Sequence, residues 1–532
     1  MHTLILNLTR FGDLLQTQPA ISGLAAAGNS VGLVCLDNFS GAAALLQDLD
    51  CVHSLPGARL LAALERDWRA ASAELVTWGR QIVTTRAPDR VTNLTATLSV
   101  RLLARALAES SLSANAQTPR CQGFLLDELG FGLSSNSWVA FLLASSRYRG
   151  LSPFNLVDLF WKACELGSGP RPFALRQPDA ERREQARALL AQAGPAPASR
   201  GLVGFQLGAS ENRRRWPLEH FAALGRLLDQ AGLTPVLLGS DSERELAARY
   251  LAAGAPGLDL TGRTSLPELA AVLSQVRLLV SNDTGTMHLA AGLGRPVVGI
   301  FLATAQPWDT GPYQPGNICL EPDLDCHPCS FSRPCAYQER CRRRIAPETV
   351  LQAVQTLLGV TEGRGCATGD ARIWRTRVEE DQFMGLESLS GHEQEERTQW
   401  IRLQRHIYRH FLDRTPIPAP PSFAFGAGFR ASVSRTLDDS RKLLTLLAGQ
   451  GQALLAGARI EPLKQKFMAS WQRLQGLWDA DERLAVLGHL WLSESQEAGR
   501  QLETFLPLID RYQALTTSWL EFLGQADQPP PK

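Results

Sequence analysis

The chain has 532 residues, 54 basic and 53 acidic side chains and a hydrophobic content of 44%, which is too long for one core and too balanced in charge to draw nucleic acid by an overall field. No apolar run approaches the roughly twenty residues of a membrane span, and the opening Met1-His2-Thr3-Leu4-Ile5-Leu6 is too short for a secretory signal. The expectation is a cytoplasmic protein of several domains, with room for peripheral contact at the inner face of a membrane.

From the amino terminus, the pattern predicts a strand over 3–8, a helix over 13–27 and a strand over 31–36, the opening of a βαβ fold. Helical patches follow near 58–71 and 99–108, between which the strand signals are weak. A charged helix over 178–193 leads into Gly194-Pro195-Ala196-Pro197-Ala198-Ser199, whose composition reads as a hinge. Alternation is then clear: strands near 202–207, 234–239, 277–281 and 297–302 are separated by helices near 217–231, 242–253, 266–274 and 285–292, with a closing helix over 347–358. Beyond it the grammar changes, with a charged and aromatic stretch over 372–415, four prolines between Pro416 and Pro421, and long helical patterns over 434–525. The expected division is a front doubly wound lobe (1–175), a rear doubly wound lobe (176–360), a connector (361–422) and a helical extension (423–532).

The segment Ser281-Asn282-Asp283-Thr284-Gly285-Thr286-Met287-His288 follows an apolar strand and opens a helix, so amides, hydroxyls and a helix dipole converge as in phosphate sites. The other reading, without context, is an ordinary turn with Asp283 or Thr284 as N-cap. Upstream, Gly208-Ala209-Ser210-Glu211-Asn212-Arg213-Arg214-Arg215-Trp216-Pro217 is a basic loop after another strand. Two such loops at the carboxyl ends of parallel strands form a crevice suited to an anionic nucleotide. In Thr9-Arg10-Phe11-Gly12-Asp13, Asp13 begins the first helix as either an N-cap or a general base, with Gly12 permitting close approach of an acceptor. The first strand is not followed by a G-x-G-x-x-G turn, which argues against a dehydrogenase.

Arg10-Phe11-Gly12-Asp13 with Gln18-Pro19-Ala20, Arg214-Arg215-Trp216-Pro217, Asp283-Thr284-Gly285 with His288 and Ala290-Ala291, and Pro296-Val297-Val298 resemble, in order, the signature of the heptosyltransferase family, glycosyltransferase family 9. The resemblance covers about residues 1–358. It implies a GT-B architecture, two Rossmann-like lobes with the active site between them, and metal-independent transfer of a sugar with inversion. By position, Asp13 would deprotonate the acceptor hydroxyl and Arg214, with Ser210, would meet the donor phosphates. Asp283, Thr284, Gly285 and His288 would line the nucleotide-sugar pocket, and Glu243 would contact the ribose. The family has lysine where this chain has Arg214; arginine keeps the charge and adds a bidentate fork. Arg213 and Arg215 read as solvated or as gripping the same anion.

Four of the ten cysteines crowd together in Cys326-His327-Pro328-Cys329, Cys335 and Cys341. They are candidate ligands of a closed structural zinc, with reduced thiols or a local disulfide as the other readings. Arg340-Cys341-Arg342-Arg343-Arg344 is a solvated face or a contact for anionic acceptor or lipid headgroups. Trp374, Trp400, Tyr408 and Phe411 read as core rather than as stacking platforms, as do Leu474, Trp478, Leu487 and Trp491. The function these features favour is transfer of a sugar, with ADP-heptose as the favoured donor, to a glycan or glycolipid such as a lipopolysaccharide core. Transfer of another sugar to a glycan or a protein, and a non-catalytic nucleotide-sugar-binding scaffold, are the competing readings.

Overall fold

The computed structural model describes residues 1–113, 118–194, 200–330, 334–360, 369–457, 461–499 and 501–525. Residues 195–199 of the expected hinge, and Cys366, lie outside them. The chain folds as two units, Met1–Phe131 with Phe154–Gly391, and Gly132–Pro153 with His392–Lys532.

The first unit holds two sheets. Its front sheet comprises β1 (His2–Leu6), β2 (Ser30–Leu36), β3 (Cys51–Leu55), β4 (Arg90–Asn93) and β5 (Arg120–Leu126), parallel and in the order β3-β2-β1-β4-β5. All five residues of β1 are buried, which suits a central parallel strand covered on both faces. The helix expected over 13–27 is two helices, Phe11–Leu15 and Gln18–Ala26. Pro19, which has no N–H to donate, sits in the first turn of the second helix. The Asn7 amide also donates to the Asp13 carbonyl (3.4 Å) and the Thr17 hydroxyl (2.7 Å), tying down the junction.

A short strand, β6 (Gly132–Ser134), falls in the other unit. The rear sheet contains β7 (Leu202–Gln206), β8 (Thr234–Leu238), β9 (Leu258–Asp259), β10 (Leu278–Asn282), β11 (Val297–Ile300), β12 (Ile318–Pro322), β13 (Ala371–Val378) and β14 (Met384–Ser388), in the order β14-β13-β12-β11-β10-β7-β8-β9. β7 to β12 are parallel, whereas β13 and β14 are antiparallel additions. These two strands lie in the stretch where the sequence suggested a connector. Their alternation is hard to see because the arginines of Arg-Ile-Trp-Arg-Thr-Arg interleave with fully buried Ile373 and Trp374. The strand order reverses direction between β7 and β10 and between β1 and β4, and those two switch points carry the loops of interest.

The second unit is mainly helical, with long helices Glu396–Asp413, Ala427–Leu455, Glu461–Ala480, Ala485–Ala498 and Leu502–Gln525. Helix Ser137–Arg147 joins them from far upstream: the Ser137 hydroxyl donates to Glu494 (2.9 Å) and the Trp138 indole to Asp413 (2.7 Å). Trp400, Tyr408, Phe411, Trp478 and Trp491 are buried within this unit, and Trp374 within the other, as core residues.

Candidate active site at the facing switch points

β7 and β10 are neighbours, with Gln206 paired to Ser281, so the loops that leave them emerge side by side. Asn282 joins the two. Its side-chain oxygen accepts from the Trp216 amide (2.9 Å), and its Nδ2 donates to the carbonyls of Leu207 and Gly208, both at 3.0 Å. Nothing in the motif reading singled out Asn282; its signal is a fully buried amide at a strand end, where a cut sheet edge leaves carbonyls to satisfy.

That joint sets Arg214 against Asp283. The guanidinium Nη2 donates to Asp283 Oδ2 in a buried ion pair, while Nη1 reaches the Ser210 hydroxyl (3.4 Å) and the Thr310 hydroxyl approaches the same carboxylate (3.5 Å). Arg214 Nε is buried without a hydrogen-bond partner among the described residues. Thr284 is the N-cap of helix Gly285–Gly292, and its hydroxyl lies 3.0 Å from that of Ser281. His288 is buried on the same helix. The neighbouring cations are engaged elsewhere: Arg213 with Glu211 (2.7 Å), and Arg215 through Nε and Nη2 with the Ala209 carbonyl (both 3.1 Å).

Glu243 stands at the rim of the same crevice. A Cβ placed on Gly208 would lie 1.5 Å from its Oε1, so only glycine lets the loop pass. Both carboxylate oxygens already accept hydrogen bonds, Oε1 from Gln206 (2.9 Å) and Oε2 from the Ser240 amide (2.7 Å) in a capping box. Gln206 in turn accepts from Thr286 (3.0 Å), so the rim and the helix start form one network.

The front lobe meets this wall directly. Asp13 lies in the first turn of helix Phe11–Leu15, and a Cβ on the adjoining Gly12 would come within 2.9 Å of Gly285 Cα and 3.4 Å of His288 Cδ2. Reciprocally, a Cβ on Gly285 would fall 2.2 Å from the Phe11 ring. Two glycines, one from each lobe, thus allow backbone-to-backbone approach between the turn that bears Asp13 and the start of helix Gly285–Gly292.

The four clustered cysteines follow β12 in the rear lobe. Burial pushes the Cys329 thiol up to about 11, with Cys341, Cys326 and Cys335 adding to the rise. Cys341 is raised as well, by burial first. Cys329 Sγ donates to the Cys326 carbonyl (3.6 Å), and Cys335 Sγ accepts from the Tyr337 and Glu339 amides (3.4 and 3.3 Å). Among the described residues, the four sulfurs share a neighbourhood without three of them closing to within 4.8 Å of one another.

Two doubly wound lobes with their switch-point loops in contact define a GT-B protein, and comparison with known proteins agrees. The structure resembles that of a glycosyl transferase of family 9 from Veillonella parvula, with a TM-score of 0.52 at 20% identity, covering 68% of this chain and 97% of that one. The family model described as glycosyltransferase family 9 (heptosyltransferase) matches residues 157–340. Lipooligosaccharide heptosyltransferase 2 of Haemophilus ducreyi is 33% identical over 133 residues, 24% of this chain and 38% of that protein. Lipopolysaccharide heptosyltransferase 1 of Pseudomonas aeruginosa is 32% identical over 170 residues, 29% and 47% respectively. The chain spans less than half the length of these curated relatives. Among the described residues no helix is long and apolar enough to cross a membrane.

Proposed function

We propose that the protein is an inverting glycosyltransferase that moves a sugar, with ADP-heptose as the favoured donor, to a glycan or glycolipid acceptor of the lipopolysaccharide-core kind, working at the inner face of a membrane. The observation that carries this reading is the Gly12–Gly285 contact, which sets a carboxylate-bearing turn of one lobe against an anion-suited turn of the other.

In this reading Asp13 takes the proton from the acceptor hydroxyl as its oxygen attacks the anomeric carbon and the bond to the nucleotide phosphate breaks. The leaving diphosphate gains negative charge. In this reading Arg214 receives it, with Ser210 and the amides at the start of helix Gly285–Gly292 beside it. Asp283 holds Arg214 in place and, with Thr284, Gly285 and His288, lines the sugar pocket. Glu243 turns toward the ribose only by sharing oxygens that Gln206 and Ser240 already occupy. Cationic side chains and a helix end do the work of a divalent ion in this scheme, so transfer proceeds without added metal. The cysteines have the donor chemistry for a structural zinc: Cys326, Cys329, Cys335 and Cys341 would hold it once drawn closer than the described arrangement brings them, and a cation would offset the burial, and after it the neighbouring thiols, that raise Cys329.

The deciding experiment is a transfer assay with a panel of nucleotide sugars and core-type acceptors, run with and without chelator on wild type and Asp13→Asn. Transfer from ADP-heptose with inverted anomeric configuration, lost in the variant, is expected. Binding of donors without turnover for every acceptor would favour a scaffold, and turnover from another donor would reassign the sugar.

A further inference from the structure

The loop between β7 and helix Leu218–Gln230 has two working faces. Arg214 points its guanidinium to Asp283, whereas Arg215 and Asn212 face a separate cavity of about 510 Å³ whose lining includes neither Arg214, Ser210 nor Asp283. The opposite wall of this cavity is the segment that follows Cys335, and helix Arg244–Ala252 contributes Arg249. Five arginines and two glutamates line it.

The arginines divide by what they already hold. Arg342 is structural: its Nε donates to the Arg215 carbonyl (2.9 Å) and its Nη1 to Glu339 (3.0 Å). Arg215 is committed to the Ala209 carbonyl, and Arg343 lies 3.6 Å from Glu219. Arg249 and Arg340 have no carboxylate partner among the described residues; Arg340 instead lies over the Tyr337 ring at 4.8 Å. The floor is the buried Trp216 with Leu207. A recess with an apolar floor and two guanidinium groups that lack a carboxylate partner suits a small sugar that carries a phosphate, because arginine forks match phosphate oxygens and the floor of Trp216 and Leu207 matches the apolar face of a sugar.

We propose that this cavity is a second anion site, taking a phosphate monoester on a monosaccharide, with Arg249 and Arg340 as its phosphate ligands. It is reached independently of the interlobe reading. An occupant here would also brace Arg215 and, through the Trp216 amide held by Asn282, the loop that positions Arg214.

The test is titration calorimetry of the full chain with glucose 6-phosphate as the probe. Saturable, salt-sensitive binding is expected, weakened about tenfold or more in Arg249→Gln/Arg340→Gln, two exposed positions whose replacement leaves the core intact. The same binding should persist in Arg214→Gln/Asp283→Asn, which removes the ion pair of the cleft without leaving either charge alone. Absence of saturable binding by wild type, equal binding by the Arg249/Arg340 variant, or loss only in the Arg214/Asp283 variant would each overturn the assignment. Phosphatidic acid vesicles offer the same phosphate monoester on a surface that the recess does not admit, so co-sedimentation with vesicles in place of sugar phosphate binding would also overturn it. Donor binding is read separately with nucleotide sugars, and failure of one site leaves the other standing.

Discussion

Arg214 and Asp283 neutralise each other before any ligand arrives, so the stability and the chemistry of this pair can be separated. Removing only the guanidinium leaves a buried carboxylate with no countercharge. Arg214→Ala should therefore lower the unfolding free energy by about 3–5 kcal/mol, measured by denaturant titration, while Arg214→Gln/Asp283→Asn should recover most of that stability without recovering transfer. Equal stability of the single and double variants would show that the pair is not the buried unit described. For Asp13, replacement by Asn keeps the shape of the helix start and removes only the base. The expected result is a fall in kcat of about 10²–10⁴ with donor affinity little changed, read by steady-state kinetics beside equilibrium binding of the donor. These residues were legible in the sequence because charge and glycine stand out at strand ends. Their pairing was not. That Asp283 would meet Arg214 required the β7–β10 adjacency and Asn282, an uncharged residue whose importance lies in the four backbone groups it satisfies.

Among the elements, the two short turns at Gly12 and Gly285 decide how closely the lobes approach. A methyl group on Gly12 would sit 2.9 Å from the Gly285 Cα, a backbone atom that can yield only if one turn retreats. Gly12→Ala should lower kcat by up to about 10² while donor binding stays within a few-fold, since a misplacement well under 1 Å separates base from anomeric carbon without touching the nucleotide. Gly285→Ala should be worse, because its methyl would enter the Phe11 ring, and a loss of folded protein there beside intact folding of Gly12→Ala would be consistent with this geometry. Unchanged kinetics in both would mean that the contact opens freely. The βαβ alternation of the rear lobe was readable because apolar strands and amphipathic helices there keep their own periods, as in Leu202–Gln206 followed by Leu218–Gln230. β9, with two residues, has no period to detect. β12 and β13 are hidden for other reasons: β12 ends at a proline, and β13 buries Arg372 and Thr376 along with its apolar residues.

On the scale of the whole molecule, the helical unit is assembled from two stretches far apart in the chain, which composition alone does not reveal. A reader of the sequence sees 423–532 as an appendage; the structure recruits Gly132–Pro153 into the same unit. The tie between the stretches runs through acidic groups. Glu494 accepts from Ser137 (2.9 Å) and from Tyr512 (2.8 Å), and one turn further along the helix Glu497 accepts from Ser493 (3.4 Å) beside Ser134. Burial, with Glu494 nearby, raises the Glu497 carboxyl from 4.5 to about 7. A carboxyl raised in the folded state binds its proton more tightly there than in the unfolded chain. The folded protein therefore carries the extra proton between pH 4.5 and about 7, and stability is fully present below that window and declines as pH rises through it. The loss by pH 8 is on the order of 3 kcal/mol for a shift of this size. Glu497→Gln holds the neutral, hydrogen-bonding form at every pH. Thermal melts followed by circular dichroism between pH 5 and 8 should thus show the wild-type helical transition falling as the solution becomes more basic, the variant falling less, and the two converging at the acidic end. Parallel curves for the two proteins would mean that Glu497 ionises in the folded unit much as it does in water, and that the join between the two stretches does not depend on its proton.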